Sequence, residues 1–529
     1  MTRGARGRLG GLALALLACL GLLAGAVVSP AAAAPGDLVP VYVTNSFGSD
    51  PTTQRVFSWE TSRGYTDPTV DVVADGGAFT DAATFTGTST PVPAVVKNRL
   101  AQRVTVTGLA PGTTYAYRLG NTVGGVRAYS PTYRFTTAPA TDAPFTFVQV
   151  TDSQCSTSEY AEYWGPTLRA ALDTVPDAAF VLHTGDIVDT PDQAQWDGFF
   201  GATGDALAGV AFQPALGNHE GTNALNVAFY QSVFGVDSQN GFPLNYSFTY
   251  GAALFLVLNS NYTTTAELAR QADWIRSVVA AQGAGKFVIA AFHKGPFGSF
   301  HVAEPDVKRI KDDLVPVLEE VGVSLVLQGH DHEYYRSYPI RDGAPVTSGD
   351  PAGPISTRDD GVVFLGSKSA GSKVYPALPM PWFATHWTPP SLTDPVDTVF
   401  TAITVGTDAL QVTAYTGGGQ VIDRAVIYRG AVPDASPSPA ATTGSPTSAP
   451  VTTPATAVSP VTPAATTPPR APGAGGVVTR VAPGLGAAPL LLLAGAAVLG
   501  RRWAITRAAR TPWPRPAGTP SAGDSRHSR

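Results

Sequence analysis

The sequence predicts an all-β sandwich followed by an α/β domain, with a disordered C-terminal stalk and one transmembrane helix beyond them. Three observations carry this. Residues 36–139 hold short alternating runs separated by Gly, Pro, Asp and Asn clusters, residues 144–430 alternate apolar strands with helical stretches, and residues 431–480 hold almost no large apolar side chain. A length of 529 residues allows two or three domains, and a net charge of −5 gives no ground for expecting nucleic acid as a partner.

At the amino end, Arg3, Arg6 and Arg8 precede an apolar run from Leu9 to Val28, and Pro30 and Ala31 to Ala34 follow it. Residues 1–34 therefore read as an export signal. Cys19 inside the run offers lipidation as the alternative. Cys155 is then the one cysteine of the processed chain, so no internal disulfide is expected. Stability must come from core and metal.

In residues 36–139, Arg55-Val56-Phe57-Ser58-Trp59 and Arg103-Val104-Thr105-Val106 read as strands. Leu109-Ala110-Pro111-Gly112-Thr113-Thr114-Tyr115, followed by Tyr117, resembles the turn and tyrosine corner of fibronectin type III domains. The segment has no His and no Cys, and its carboxylates are scattered through loops. A spacer or shielding role is expected.

In residues 144–430, apolar strands are expected at 145–150, 179–183, 212–216, 254–258, 287–291 and 324–327, with helices at 163–172, 196–200, 266–281 and 310–321. A polar residue follows five of these strands: Asp152, Asp186, Asn218, His293, and the pair His330 and His332. Ligands gather outside the carboxyl ends of strands in α/β sheets. Extended backbone would turn His330 and His332 to one side together. Taken singly, each has an ordinary reading as a helix cap or a surface histidine. Together they offer oxygen and nitrogen donors without thiolate, too many for one tetrahedral site and suited to two adjacent metal ions. Asp186 is the expected bridge. Such a pair binds the oxygens of a phosphate, generates hydroxide near neutral pH and stabilises an in-line transition state. His219, oriented by Glu220, is the expected proton donor to the leaving group, and His301 a hydrogen-bond donor to the phosphate. Lys294 and Arg336 flank the pocket as candidates to attract phosphate, and Tyr334 and Tyr335 as cleft residues.

The blocks Asp152-Ser153-Gln154, Gly185-Asp186-Ile187-Val188-Asp189, Gly217-Asn218-His219-Glu220, Phe292-His293 and Gly329-His330-Asp331-His332 resemble those of calcineurin-like metallophosphoesterases. With the β domain upstream, the arrangement is similar to purple acid phosphatases. The resemblance implies that Asp152, Asp186 and His332 hold one metal and that Asp186, Asn218, His293 and His330 hold the other. It implies Fe, Zn or Mn as the ions and a four-layer α/β fold, with Val362-Phe364 and Leu410-Thr416 in its second sheet. Two positions depart from the pattern. Asp189 stands where purple acid phosphatases carry a metal-binding tyrosine, and Gln154 replaces the histidine of an Asp-x-His block while remaining a candidate ligand.

After the stalk, residues 481–500 are uncharged over a length that spans a bilayer, and Arg501, Arg502, Arg507 and Arg510 begin a basic tail of residues 501–529. The resulting expectation is an exported, membrane-tethered hydrolase of phosphate esters, monoesters before diesters. The alternatives are a phosphodiesterase of the same family and a non-catalytic surface adhesion protein that retains the scaffold.

Overall fold

The computed structural model describes residues 38–433 apart from positions 94, 243, 376, 377 and 392. The first part is all β. One sheet runs Val41–Phe47, Arg55–Ser62, Arg99–Val106 and Thr88–Pro91, and a second carries Tyr65–Ala74 and Thr114–Val123 at its centre. Phe57, Trp59, Val70, Val104, Tyr117 and Leu119 fill the space between them. The tyrosine corner falls on Tyr115, whose hydroxyl accepts the Ala110 N–H at 2.8 Å. Tyr117 instead sends its hydroxyl to the Ala208 carbonyl, 2.8 Å away in the following domain.

That domain is built on two seven-stranded sheets. In the first, Phe145–Val150, Phe180–His183 and Ala211–Pro214 lie parallel, and Val399–Val405, Ala409–Thr416 and Val421–Tyr428 continue it antiparallel. In the second, Ala253–Val257, Phe287–Lys294, Val323–Gly329 and Val363–Gly366 are parallel. The sheets meet through Phe147 against Phe255 and Phe180 against Phe248. Helix Trp164–Thr174 joins the core of the first sheet, and helix Thr265–Gln282, opened by a Thr264/Glu267 capping box, covers the second. Every residue of Phe287–Lys294 and Val323–Gly329 is buried, as expected for parallel strands covered on both faces. The carboxyl ends of both parallel sets lead to one seam. The expected second-sheet segments divide between the sheets: Val363–Gly366 extends the second, whereas Ala409–Thr416 lies in the first.

Helix Ala224–Phe234 escaped the sequence reading for a physical reason. It is apolar on most sides, because it is buried in the main core and also receives a hydrogen bond from the β domain, Thr44 Oγ1 to the Val233 carbonyl at 2.8 Å. Such a helix shows no polar face to betray its period. The helix expected over 310–321 runs from Pro305 to Glu320 with a wider turn at Ile310–Leu314, next to Pro316, which has no N–H to donate.

The two domains dock firmly. Asn45 Nδ2 reaches three carbonyls, those of Leu207, Ala208 and Val210, at 3.0–3.1 Å. Tyr42 stacks on Phe200 with ring centroids 4.4 Å apart, and Phe47 packs on Phe180 at the amino end of its strand. Phe47 therefore sits away from the carboxyl ends where the site residues lie.

The expected membrane tether is corrected. Among the described residues no helix is long and apolar enough to cross a membrane. The longest, Thr265–Gln282, carries Glu267, Arg270, Asp273 and Arg276. The fold is an all-β domain followed by an α/β domain, and the transmembrane helix, the membrane partner and the exported cell-surface placement are withdrawn from it. The segments invoked for them, 1–34, 481–500 and 501–529, lie outside the described residues, as does the stalk from residue 434.

Candidate metal centre

The first sheet delivers Asp152, Asp186 and Asn218 to the seam, and the second delivers His293, His330 and His332. Two triads of ligand atoms result: Asp186, His293 and His330, and Asp152, Asp186 and His332, each with its atoms within 4.8 Å of one another. Asp186 belongs to both. His293 Nε2 lies 3.1 Å from Asp186 Oδ2 and 3.1 Å from the Asn218 side-chain oxygen. His332 Nε2 lies 3.2 Å from Asp152 Oδ1.

The backbone bends sharply to achieve this. Asp152, Asp186, His330 and His332 have φ of +50°, +53°, +74° and +52°, four of the nine such non-glycine residues described. Left-handed backbone costs energy in these residue types and gathers at sites the surrounding structure overdetermines. The expected extended geometry of the His330/His332 pair is thus corrected. Both rings reach the seam, but through left-handed turns that send them to different triads. Gly185, at φ +103°, has no room for a side chain: a Cβ there would meet His293 Nδ1 at 2.7 Å and the Gly217 backbone at 2.9 Å.

The ring tautomers follow from their partners. A carbonyl only accepts, so His293 Nδ1 donates to Thr184 at 2.9 Å and His332 Nδ1 donates to Lys373 at 2.8 Å. Each Nε2 faces carboxylate oxygen, a position that holds either a proton or a cation. Two further atoms make the same point. Asp152 Oδ1 and His330 Nε2 are buried and form no aligned hydrogen bond, a state rare in native interiors. These residues fit a pair of divalent ions.

His219 donates its backbone N–H to Asp186 Oδ1 at 3.0 Å, and its Nδ1 meets the Asp189 carbonyl at 2.5 Å. Glu220 does not orient it, contrary to expectation. That carboxylate is buried and accepts the N–H groups of Val188 (2.8 Å) and Gly217 (3.2 Å). Burial, then the charge of Asp186, pushes its pKa up to about 8. Gln154, oriented so that its amide nitrogen meets acceptors, donates to Asp186 Oδ2 at 3.2 Å, and its oxygen accepts from Lys373 Nζ at 3.2 Å.

Lys373, unnoticed in the sequence, reaches Asp189 Oδ1 at 3.1 Å and His219 Nε2 at 3.4 Å. It lies in an irregular segment where no periodicity marks it. His301 rests its ring 4.1 Å from that of His330, with Nδ1 on Asp331 Oδ1 at 2.7 Å. Asp331 sits between the two metal-facing histidines, and that placement was the available clue to it.

Other candidates are engaged elsewhere. Lys294 is paired with Asp306. Arg336 and Tyr334 are buried against Asp423, and the Tyr335 hydroxyl meets Gln328. His183 is buried on Ser153, and burial pushes its pKa down to about 3. Burial likewise lifts the Cys155 thiol to about 12.

A double-sheet α/β core with two Asp/His triads at its seam defines a metallophosphoesterase domain. The comparisons with known proteins agree: residues 145–334 match the calcineurin-like phosphoesterases, and residues 40–137 match the N-terminal domain of purple acid phosphatases. The chain is a homologue of purple acid phosphatases, with a calcineurin-like metallophosphoesterase domain behind a β-sandwich of their type. It is 25% identical over 285 residues to Purple acid phosphatase 15 of Arabidopsis thaliana, covering 48% of this chain and 52% of that one. It is 23% identical over 361 residues to an uncharacterised protein of Mycobacterium tuberculosis, covering 59% and 65%. The match therefore spans between half and two thirds of these relatives. The structure of purple acid phosphatase PPD1 from yellow lupin (Lupinus luteus) seeds shares the fold, with a TM-score of 0.63 at 19% identity over 74% of this chain and 75% of that one.

Proposed function

We propose that the protein hydrolyses phosphate esters at a binuclear metal centre. The observation that carries this is Asp186, whose carboxylate belongs to both triads. Asp152, Asp186 and His332 would hold one ion, and Asp186, Asn218, His293 and His330 the other. Bound there, two divalent ions supply the positive charge that draws a phosphate ester and lowers the pKa of a water molecule beside its phosphorus.

The remaining residues bind the phosphate and manage the leaving group. Lys373 Nζ is an ammonium, so His219 Nε2 accepts from it. That places the Lys373 charge beside the centre to attract phosphate oxygens, with His219 positioning it. His301 has Nδ1 committed to Asp331, while its Nε2 has no hydrogen-bonding partner among the described residues. We therefore give His301 the leaving-group proton expected of His219 from sequence, and give His219 the positioning of Lys373 for the phosphate. Gln154 steadies Asp186 from the side by hydrogen bonding.

Leaving groups of different basicity test the assignment. General acid catalysis matters most when the departing oxygen is basic. His301→Ala should slow alkyl phosphate hydrolysis by about 100-fold or more and 4-nitrophenyl phosphate far less. His219→Ala should slow both alike. The reverse pattern would return the proton to His219.

A further inference from the structure

Most large apolar side chains of this protein are covered, but Phe300 is 46% exposed, the one aromatic among the exposed large apolar residues described. It stands beside the candidate metal centre. Its ring lies flat on Tyr375, with centroids 4.2 Å apart and planes 2° from parallel. Tyr375 in turn lies 4.7 Å from the ring of His332 and 5.4 Å from that of His301. An unbroken line of rings thus runs from a metal-facing histidine to the surface. Leu378, 51% exposed, adjoins it through its N–H on Ser299 Oγ at 3.2 Å.

The exposed ring is also held in place. Asp331 accepts the backbone N–H groups of Phe300 and His301 at 3.0 and 3.1 Å. Glu333 accepts the N–H and hydroxyl of Ser299, both at 2.7 Å. Two buried carboxylates therefore fix three consecutive residues whose middle side chain is an aromatic facing water. An aromatic left exposed by chance would not need such anchoring, whereas a rigid flat apolar surface beside a reactive centre binds a flat apolar group at little entropic cost.

A cleft of about 540 Å³ also opens at the centre, where Asp189, Asn218 and His219 are among its lining residues. A phosphate ester has one highly charged end and one organic end; the metal-facing residues and Lys373 suit the first, and the exposed ring pair suits the second.

We propose that the Phe300–Tyr375 pair recognises the alcohol portion of the substrate, and that the preferred substrates are phosphate esters whose leaving group carries a planar aromatic ring. This rests on the phosphate-ester hydrolase reading above. It also agrees with His301, the residue given the leaving-group proton, being in ring contact with both members of the pair.

The test compares alcohols of similar basicity, so that leaving-group chemistry does not mimic recognition. Turnover of 2-phenylethyl phosphate is measured against butyl phosphate, and of a nucleoside 5′-monophosphate against ribose 5-phosphate, with the metal-loaded full chain. The first pair reads simple aryl groups and the second reads nucleobases. In parallel, calorimetry measures binding of phenylphosphonate and butylphosphonate, neither of which needs turnover. The proposal expects about a tenfold preference for the aromatic member in kcat/KM of at least one substrate pair, and a similar ratio between the phosphonates. It expects Phe300→Ala to cut both ratios to within about twofold, with the aromatic members losing more than the butyl compounds. Equal handling of aromatic and aliphatic members, or a preference that survives Phe300→Ala, overturns it. If no ester is hydrolysed, the hydrolase reading fails, and the phosphonate ratio still decides whether the aromatic pair is a binding surface.

Discussion

Lys373 Nζ lies 3.1 Å from the Asp189 carboxylate, while the backbone carbonyl of the same lysine holds His332 Nδ1 at 2.8 Å. One residue therefore orients a metal-facing imidazole with its main chain and presents a cation to the phosphate side with its side chain. The resemblance read from the sequence implies a metal-binding tyrosine at the position of Asp189. Here its carboxylate faces an ammonium.

Lys373→Met removes the ammonium and keeps the carbonyl. Metal content should be unchanged, KM for a phosphomonoester and the inhibition constant of inorganic phosphate should each rise about tenfold, and kcat should change less. Steady-state kinetics with metal analysis checks this. An unaltered KM would remove Lys373 from phosphate binding.

Gly185→Ala places a methyl group 2.7 Å from His293 Nδ1 in a backbone of φ +103°. A loss of about 1–3 kcal/mol in stability is expected. Metal affinity should also fall, because the methyl displaces the ring from Thr184. Denaturant melts of metal-free and metal-loaded protein separate the two effects.

The site was legible in the sequence to the extent that each ligand follows an apolar strand. Asp152, Asp186, Asn218 and His293 are carried by parallel strands whose burial pattern is written in their side chains, and the topology brings their ends together. The partners of these ligands were not legible. Lys373 and Tyr375 belong to an irregular segment far along the chain, with no period to align them to the seam. Glu220 was misread because adjacency in sequence suggests contact, whereas consecutive residues in a helical turn point in different directions. Positive φ at four non-glycine residues is set by tertiary packing and has no mark in composition. The β domain was recognisable from its turns, but its docking through Asn45 and Tyr42 depends on carbonyls and rings of the other domain.

Asn45→Ala should cost about 2–3 kcal/mol of stability, since it strands three carbonyls at the domain junction. The kcat of the metal-loaded enzyme should stay within about twofold, because Asn45 touches none of the proposed site residues. Thermal melts and kinetics on the same preparation test both statements.

Glu60 is buried in the β domain, with Oε2 3.4 Å from Arg99 and Oε1 without a partner. Burial outweighs the arginine and pushes its pKa from 4.5 up to about 7. The folded protein thus holds this proton more tightly than the unfolded chain does. Its contribution is fully present below pH 4.5 and is lost as pH rises through about 7. Glu60→Gln should remove that loss, so the melting temperature of the variant relative to the parent should climb between pH 5 and pH 8. A difference that stays flat across this range would contradict the buried, proton-holding carboxyl.

The central claim is that Asp186 joins two metal ions into one hydrolytic centre. Metal content per chain, measured together with hydrolysis of an aryl phosphomonoester and diester by the full chain and its Asp186→Asn variant, tests it most directly. The account predicts about two ions per chain in the parent, fewer in the variant, and turnover that falls more than about 100-fold with them. A well-folded parent protein that binds no metal and hydrolyses neither ester would contradict it, as would a variant that keeps both its ions and its activity.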